Sequence, residues 1–341
     1  IRAGFEYLLE NHPEVFVIGQ GLWAKWYVGN SMTGLDKVFG RERVMDSPVS
    51  ELACTGAAVG ASLCGYRPVV VHPRIDFMLY AMDAVVNQAA KWSHMLGGQA
   101  HPAVTIRGII NRGGEQGAQH SQALHSWFAH IPGLKVVLPA TAQDAKGMLI
   151  AAVKDENPVI FLEHRWLYNL KDTVPEAGYE TPLDKAVVKK EGSDVTLIGI
   201  SYLTLECLRA AELLAEQGVS AEVVDLRSVR PIDYETLIAS VEKTGLVLIA
   251  DHATLIGSIA NDITAVLNES KFSRLKQAPI RIGLPDHPVP TSHELAVGFY
   301  PSAKIIANAM LSALNFPRLQ PHSDNKEVQH DQPDTSFTGP F

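Results

Sequence analysis

Asp46-Ser-Pro-Val-Ser-Glu51-Leu-Ala-Cys-Thr-Gly-Ala-Ala-Val-Gly-Ala61 reads as the end of a strand, a turn and the start of a helix. Ser47 or Ser50 can cap that helix, which places Glu51 in its first turn. The helical stretch, Leu52 to Leu63, is rich in Ala and Gly and should pack closely. Pro68–His72 then reads as a nearly continuous apolar run, as expected of a strand covered on both faces. Outward from this core the alternation repeats. Further candidate strands are Val15–Gly19, Ala103–Arg107, Lys135–Leu138 and Pro158–Glu163. Helical patterns run over Phe77–Met95 and over Ala142–Val153, the latter behind Thr141 as N-cap. Strand and helix in alternation predict an α/β layer fold with mainly parallel sheets.

The pattern breaks around Tyr168–Gly192, where Pro175, Gly178 and Pro182 sit among charges. A second α/β unit follows, with strands Val195–Ile200, Ala221–Leu226 and Val247–Ala250. Its helices are Thr204–Gln217, stopped by Gly218, then Tyr234–Lys243 and Ser302–Leu314. The expected organisation is a first domain over 1–175, a linker over 176–192, a second domain over 193–316 and a polar tail over 317–341. The tail should be disordered or wrapped over a partner. The chain opens in a helix-like segment, as expected of a chain with further residues ahead of it.

The 341 residues are 46% hydrophobic and carry a net charge of -8, which suits a globular protein with a sizeable core. No basic stripe points to nucleic acid, and no apolar run reaches membrane-spanning length. Cys54, Cys64 and Cys207 lack metal or redox spacing and read as small core residues in a reducing compartment. Without a visible signal peptide, the expected location is the cytoplasm, or the mitochondrial matrix in a eukaryote.

Several segments carry chemistry. Glu51, at a helix start inside a close-packed segment, can exchange a proton with a bound ligand; it also suits an ordinary first-turn Glu that complements the helix dipole. Gly113-Gly-Glu-Gln-Gly-Ala-Gln-His120 lets backbone approach a ligand and presents an imidazole for proton transfer, or a loop histidine satisfied locally. His72-Pro73-Arg-Ile-Asp-Phe77 follows a buried strand. Ligands of parallel sheets bind beyond the carboxyl ends of strands, so Phe77 could stack on a flat ring there, or belong to the core. Asp155-Glu-Asn157-Pro offers oxygens to a hard cation, or forms a plain Asx turn.

In order and spacing these segments resemble the beta subunits of the first component of the 2-oxo acid dehydrogenases, the pyruvate and branched-chain enzymes, and those of acetoin dehydrogenase. The resemblance runs from about Val15 to about Ala313. It is carried by Ser47-Pro-Val-Ser-Glu51, Val86-Asn-Gln-Ala-Ala-Lys91, Gly117-Ala-Gln-His-Ser-Gln122, Pro132-Gly-Leu-Lys-Val-Val137 and Asp144-Ala-Lys-Gly147. In the second domain Ala221-Glu-Val-Val-Asp-Leu-Arg-Ser-Val-Arg-Pro231 and Ser240-Val-Glu-Lys-Thr244 carry it.

The resemblance implies a pyrimidine-binding thiamine diphosphate domain followed by a transketolase C-terminal-like domain. It implies oxidative decarboxylation of a 2-oxo acid with acyl transfer to a lipoyl group. The carboxylate matching Glu51 hydrogen-bonds the cofactor's aminopyrimidine ring and promotes loss of the thiazolium proton. By the same resemblance Phe77, behind Pro73, would pack on that ring and His120 would assist acyl transfer, and Val104, Ala152, Asp155 and Asn157 would surround a structural potassium ion. Single-chain thiamine enzymes bind magnesium and the diphosphate through Gly-Asp-Gly and a later Asn. No such pair is present, the nearest string being Glu191-Gly-Ser-Asp194. The magnesium ion is therefore expected on an alpha subunit, in an assembly of two alpha and two beta chains that serves a lipoyl-bearing acyltransferase core.

The chain departs from the family at Gln20, where an acid thought to belong to a proton path is usual. It departs also at Asp251–Gly257, Pro288–His293 and Phe299–Pro301, where contacts to partner and core are expected. Other readings are the C-terminal half of a split transketolase and a non-catalytic scaffold subunit. The strings around His120 and Asp144 weigh against the first, and joint retention of Glu51, Phe77 and His120 against the second.

Overall fold

The computed structural model describes residues 1–25, 27–113 and 116–319. The expected tail therefore lies, from residue 320 onward, outside the described residues. The chain forms β1 (Val15–Gly19), β2 (Val44–Asp46), β3 (Arg67–His72), β4 (Thr105–Ile110), β5 (Lys135–Val137) and β6 (Val159–His164). It continues with β7 (Val187–Lys190), β8 (Val195–Gly199), β9 (Ala221–Asp225), β10 (Ser228–Arg230), β11 (Val247–Thr254) and β12 (Ile280–Leu284). One sheet has the order β10-β5-β6-β4-β3-β1-β2 and the other β12-β11-β8-β9-β7. Pairing is parallel throughout except β10 on β5 and β7 on β9. The expected class, two α/β domains with mainly parallel sheets, is the observed one.

Long apolar runs made the central strands legible. The short edge strands were less so. β2 was read only by its end at Asp46, β10 has too few residues to produce a run, and β7 lies inside the expected linker, all of its residues half-buried. The helix Ile259–Lys271 and β12 were also unforeseen. Phe77–Met95 is not one helix. It is a chain of short segments, Ile75–Met78, Leu79–Ala81, a wide-turn segment Asp83–Ala89 and Trp92–Met95. Its end is seated on the Pro132–Gly133 turn, where Lys91 Nζ donates to the Pro132 carbonyl at 2.7 Å. Of the cysteines, Cys207 is buried, Cys54 half-buried and Cys64 exposed, so Cys64 is not a core residue.

The two sheets are joined by more than a linker. β10, which follows β9 in the chain, leaves the second domain and extends the first sheet beside β5. One buried apolar cluster contains Val136 and Ile160 from the first sheet and Ile198, Val224 and Ile249 from the second. Asp144 anchors this junction. Thr141 caps the helix Ala142–Lys154 as expected, accepting from the Asp144 N–H at 3.1 Å. The Asp144 carboxylate then takes Arg227 Nη2 at 2.6 Å and Lys189 Nζ at 3.2 Å. Two residues on, the buried Lys146 ammonium donates to the carbonyls of Pro175, Glu176 and Ala177 at 2.5, 2.9 and 3.1 Å. The Asp144–Gly147 string therefore fastens the connecting segment and the second domain to the first.

Arg227→Ala should destabilise the fold by about 2 kcal/mol, because it leaves the buried Asp144 carboxylate with only Lys189 and the Thr141 hydroxyl. Urea unfolding of the purified chain reads this out; an unchanged midpoint would remove Asp144 from the role of interdomain anchor.

Candidate functional site

The register aligns Gly19 with both Asp46 and Val71, and His72 with Gly108. The carboxyl ends of β2, β1, β3 and β4, neighbours in the sheet, therefore lie along one edge. Ligands of parallel sheets collect at such an edge. Each site residue leaves from it: Gln20 follows β1, the Glu51 helix follows β2, Pro73 and Phe77 follow β3, and the His120 loop follows β4.

Glu51 starts the helix Glu51–Ser62. Its Oε1 accepts a hydrogen bond from Gln20 Nε2 at 3.0 Å. A neutral amide here is a donor, so it holds the carboxylate in place and leaves the second oxygen for another partner. Neither expected capping hydroxyl caps: Ser50 is the cap residue without a side-chain bond, and Ser47 Oγ is buried without a partner. The helix is held instead through its second turn, where Thr55 Oγ1 meets His72 Nε2 at 3.2 Å in the interior. Close packing covers only one face. Thr55, Ala58, Val59 and Ser62 are buried, while a Cβ added at Gly56 or Gly60 would touch nothing within 4 Å. With Leu52 51% and Val49 79% exposed, a bare apolar face of small residues runs beside Glu51.

The structure brings Phe77 and His120 together, edge to face, with ring centroids 5.2 Å apart. Pro73 is buried in the turn between them and β3. The turn and the loop are braced on both sides of this ring pair. Arg74 Nη2 donates to Gln116 Oε1 at 2.8 Å, and Asp76 Oδ1 accepts from the Gln122 N–H and amide at 3.1 and 3.0 Å. Burial raises the Asp76 carboxyl, with the two bonds from Gln122 opposing it, and burial lowers Arg74. These braces went unread because a charged pair in a turn looks solvated. Part of the glycine loop, Gly114 and Glu115, lies outside the described residues.

The second domain closes the far side of the loop. Tyr300, Thr291 and Asp251 all reach it, and beside it opens a cleft of about 980 Å³ lined by Ser121, Trp127, His252 and Phe299 among others. Around Arg112, at the end of β4, stand the rings of Trp166, Tyr300 and Tyr202, at 4.1, 4.5 and 5.2 Å. His164 and His252 stack nearby with centroids 4.6 Å apart. The segments Asp251–Gly257, Pro288–His293 and Phe299–Pro301 thus face the His120 loop of their own chain.

Asp155 and Asn157 form the Asx turn, with Asn157 N–H donating to Asp155 Oδ1 at 2.9 Å. The chain's own cations already hold its oxygens. Arg67 Nη1 donates to the carbonyls of Val153 and Asp155, both at 2.9 Å, and Lys135 pairs with the Asp155 carboxylate. The carbonyls of Val104 and Ala152 each accept a backbone N–H, at 3.0 and 3.3 Å. Among the described residues no group of three or more His, Cys, Asp or Glu could hold a metal ion, and no helix is long and apolar enough to cross a membrane.

Burial holds His72 down at about 4 and pushes His164 and His252 well below their ordinary value, with Arg112 adding to the last two. In the unfolded chain all three take up a proton near pH 6.5. Their stabilising contribution is therefore complete above that pH and declines as pH falls below it, by about 1.4 kcal/mol per unit for each. Urea midpoints at pH 7.5 and 5.5 should show this loss, and His72→Gln should make the slope shallower; equal slopes would contradict burial of a neutral His72.

Residues 1–171 match the transketolase pyrimidine-binding domain family and residues 184–306 the transketolase C-terminal domain family. The chain is 45% identical over 269 residues to the beta subunit of acetoin:2,6-dichlorophenolindophenol oxidoreductase of Cupriavidus necator, covering 79% of each chain. It is 38% identical over 309 residues to the pyruvate dehydrogenase E1 component subunit beta of Bacillus subtilis, covering 90% of this chain and 95% of that one. A split-gene transketolase, solved as an inactive beta4 tetramer, superposes with a TM-score of 0.75 at 25% identity, covering 93% of this chain and 98% of that one. The chain belongs to the family of beta subunits of the thiamine-diphosphate-dependent 2-oxo acid and acetoin dehydrogenases.

Proposed function

We propose that this chain supplies the pyrimidine side of a thiamine diphosphate site, completed by an alpha subunit, for oxidative decarboxylation of a 2-oxo acid and acyl transfer to a lipoyl group. The observation that carries this reading is the convergence of Glu51, with one oxygen held by Gln20, and the Phe77–His120 ring pair on one sheet edge. A carboxylate with one lone-pair-bearing oxygen left over suits a ring nitrogen. A half-buried aromatic face suits a flat heterocycle. When bound, thiamine diphosphate supplies the electron sink for decarboxylation. In the proposed site Glu51 orients the pyrimidine and holds or accepts its proton, Phe77 and Pro73 shape the wall, and His120 holds or donates a proton at the acyl acceptor.

The bare face at Val49, Leu52, Gly56 and Gly60 supports a partner chain seated beside Glu51, since contiguous exposed apolar surface marks interaction sites. The finer assignments are part of the proposal: magnesium on the alpha subunit, two alpha and two beta chains, and an acyltransferase core. They extend to a cytoplasmic location, or the mitochondrial matrix in a eukaryote. A potassium ion among Val104, Ala152, Asp155 and Asn157 would compete with Arg67 for the Asp155 carbonyl. A melting temperature higher in potassium than in sodium chloride at equal ionic strength is the expected sign of that ion, and equal midpoints would exclude it. Acetoin is a second substrate reading, favoured by identities of 45% and 43% to acetoin oxidoreductase beta subunits.

The test is co-expression with the candidate alpha subunit, addition of thiamine diphosphate and magnesium, and reduction of an artificial acceptor with pyruvate, branched 2-oxo acids or acetoin. Activity is expected with at least one of them, and Glu51→Gln should lower it by about 10²-fold or more. Ketol transfer between sugar phosphates without any such activity would overturn the reading.

A further inference from the structure

We propose that Tyr300 is a positioning residue for His120, and that the second domain thereby sets the geometry of acyl transfer; this rests on the assignment of His120 above. The Tyr300 hydroxyl accepts the Gly113 N–H at 2.7 Å, at the point where the His120 loop leaves β4. The ring itself is buried against the Arg112 guanidinium and packs edge to face with Phe299, at 5.0 Å. Its hydroxyl is therefore fixed by its surroundings. At Gly117, where φ is 71°, an added Cβ would stand 2.7 Å from Thr291 Oγ1, so the loop lies directly against the second domain. At the loop's other end His125 Nε2 meets Asp251 Oδ1 at 2.8 Å, with both side chains fully buried. Burial raises the Asp251 carboxyl, but His125 beside it and the Ala253 N–H bonded to it together outweigh this and hold it below its ordinary value.

The loop thus has two sets of supports. Arg74 and Asp76 fix it to its own domain. Tyr300, Thr291 and Asp251 fix it to the other. Gly113 is a hinge-like residue at φ 48°, and its N–H bond to Tyr300 is a tether at the loop's start that removal of a single oxygen would cut. Loss of that tether loosens the loop at its start, while Arg74 and Asp76 still hold Gln116 and Gln122 on either side of His120, and leaves Phe77 and Glu51 untouched. Displacement of a reacting group by about 1 Å can cost about 10²-fold in rate.

The experiment uses the full complex with its alpha subunit, with free lipoamide as acyl acceptor, for His120→Ala, Tyr300→Phe and the double variant. Tyr300→Phe should lower kcat for lipoamide acylation about tenfold, with KM within about twofold and the melting temperature within about 4 °C. In the His120→Ala background Tyr300→Phe should cost nothing further, because it acts through His120. Losses that multiply in the double variant, an unchanged kcat in Tyr300→Phe beside a large loss in His120→Ala, or a melting temperature lowered by more than about 8 °C would each overturn the inference. Full acylation by His120→Ala would instead overturn the assignment of His120 beneath it.

Discussion

The antiparallel pairing of β10 with β5 places a strand of the second domain in the sheet of the first. From this the rest of the site's geometry follows. Buried Asp144, with Arg227 and Lys189 at its carboxylate, keeps the crossing in place. The carboxyl edge of the first sheet can then rely on side chains delivered from the second. A flexible linker alone would leave the His120 loop supported on one side, and a site on a loop needs rigid support to hold a reacting group.

On the first sheet the chemistry is divided among neighbouring strands. β1 delivers the amide that grips Glu51, β3 the turn that carries Phe77, and β4 the loop that carries His120. The supporting residues are polar and buried. Thr55 with His72, Asp76 with Gln122 and Asp251 with His125 each satisfy a group whose burial would otherwise be costly. Their bonds order the site before any ligand arrives. Gln20 is a plain donor to Glu51, where an acid could have shared a proton with it.

The helix behind Glu51 shows how one segment serves two purposes. Its buried side, from Thr55 to Ser62, packs within the chain. Its opposite side, at Gly56 and Gly60, is left bare. Small residues there permit close approach of another backbone, so the composition that suggested tight packing within the chain in fact describes a surface.

The sequence by itself determined the layer architecture, because strands buried on both faces must be nearly continuous apolar runs and such runs are visible without a structure. It also nominated Glu51, Phe77 and His120 as candidates, through motif order, spacing and the family resemblance they carry. It could not reveal β7 and β10, whose half-buried or three-residue strands leave no periodic trace, nor the broken course of residues 77–95, whose period stays close to helical. Only the tertiary structure decided which residues support the site. Gln20 is 31 positions from Glu51, Asp251 is 126 from His125 and Tyr300 is 187 from Gly113. Contacts between residues so distant in the chain depend on how the two sheets are joined, and local pattern carries no information about that.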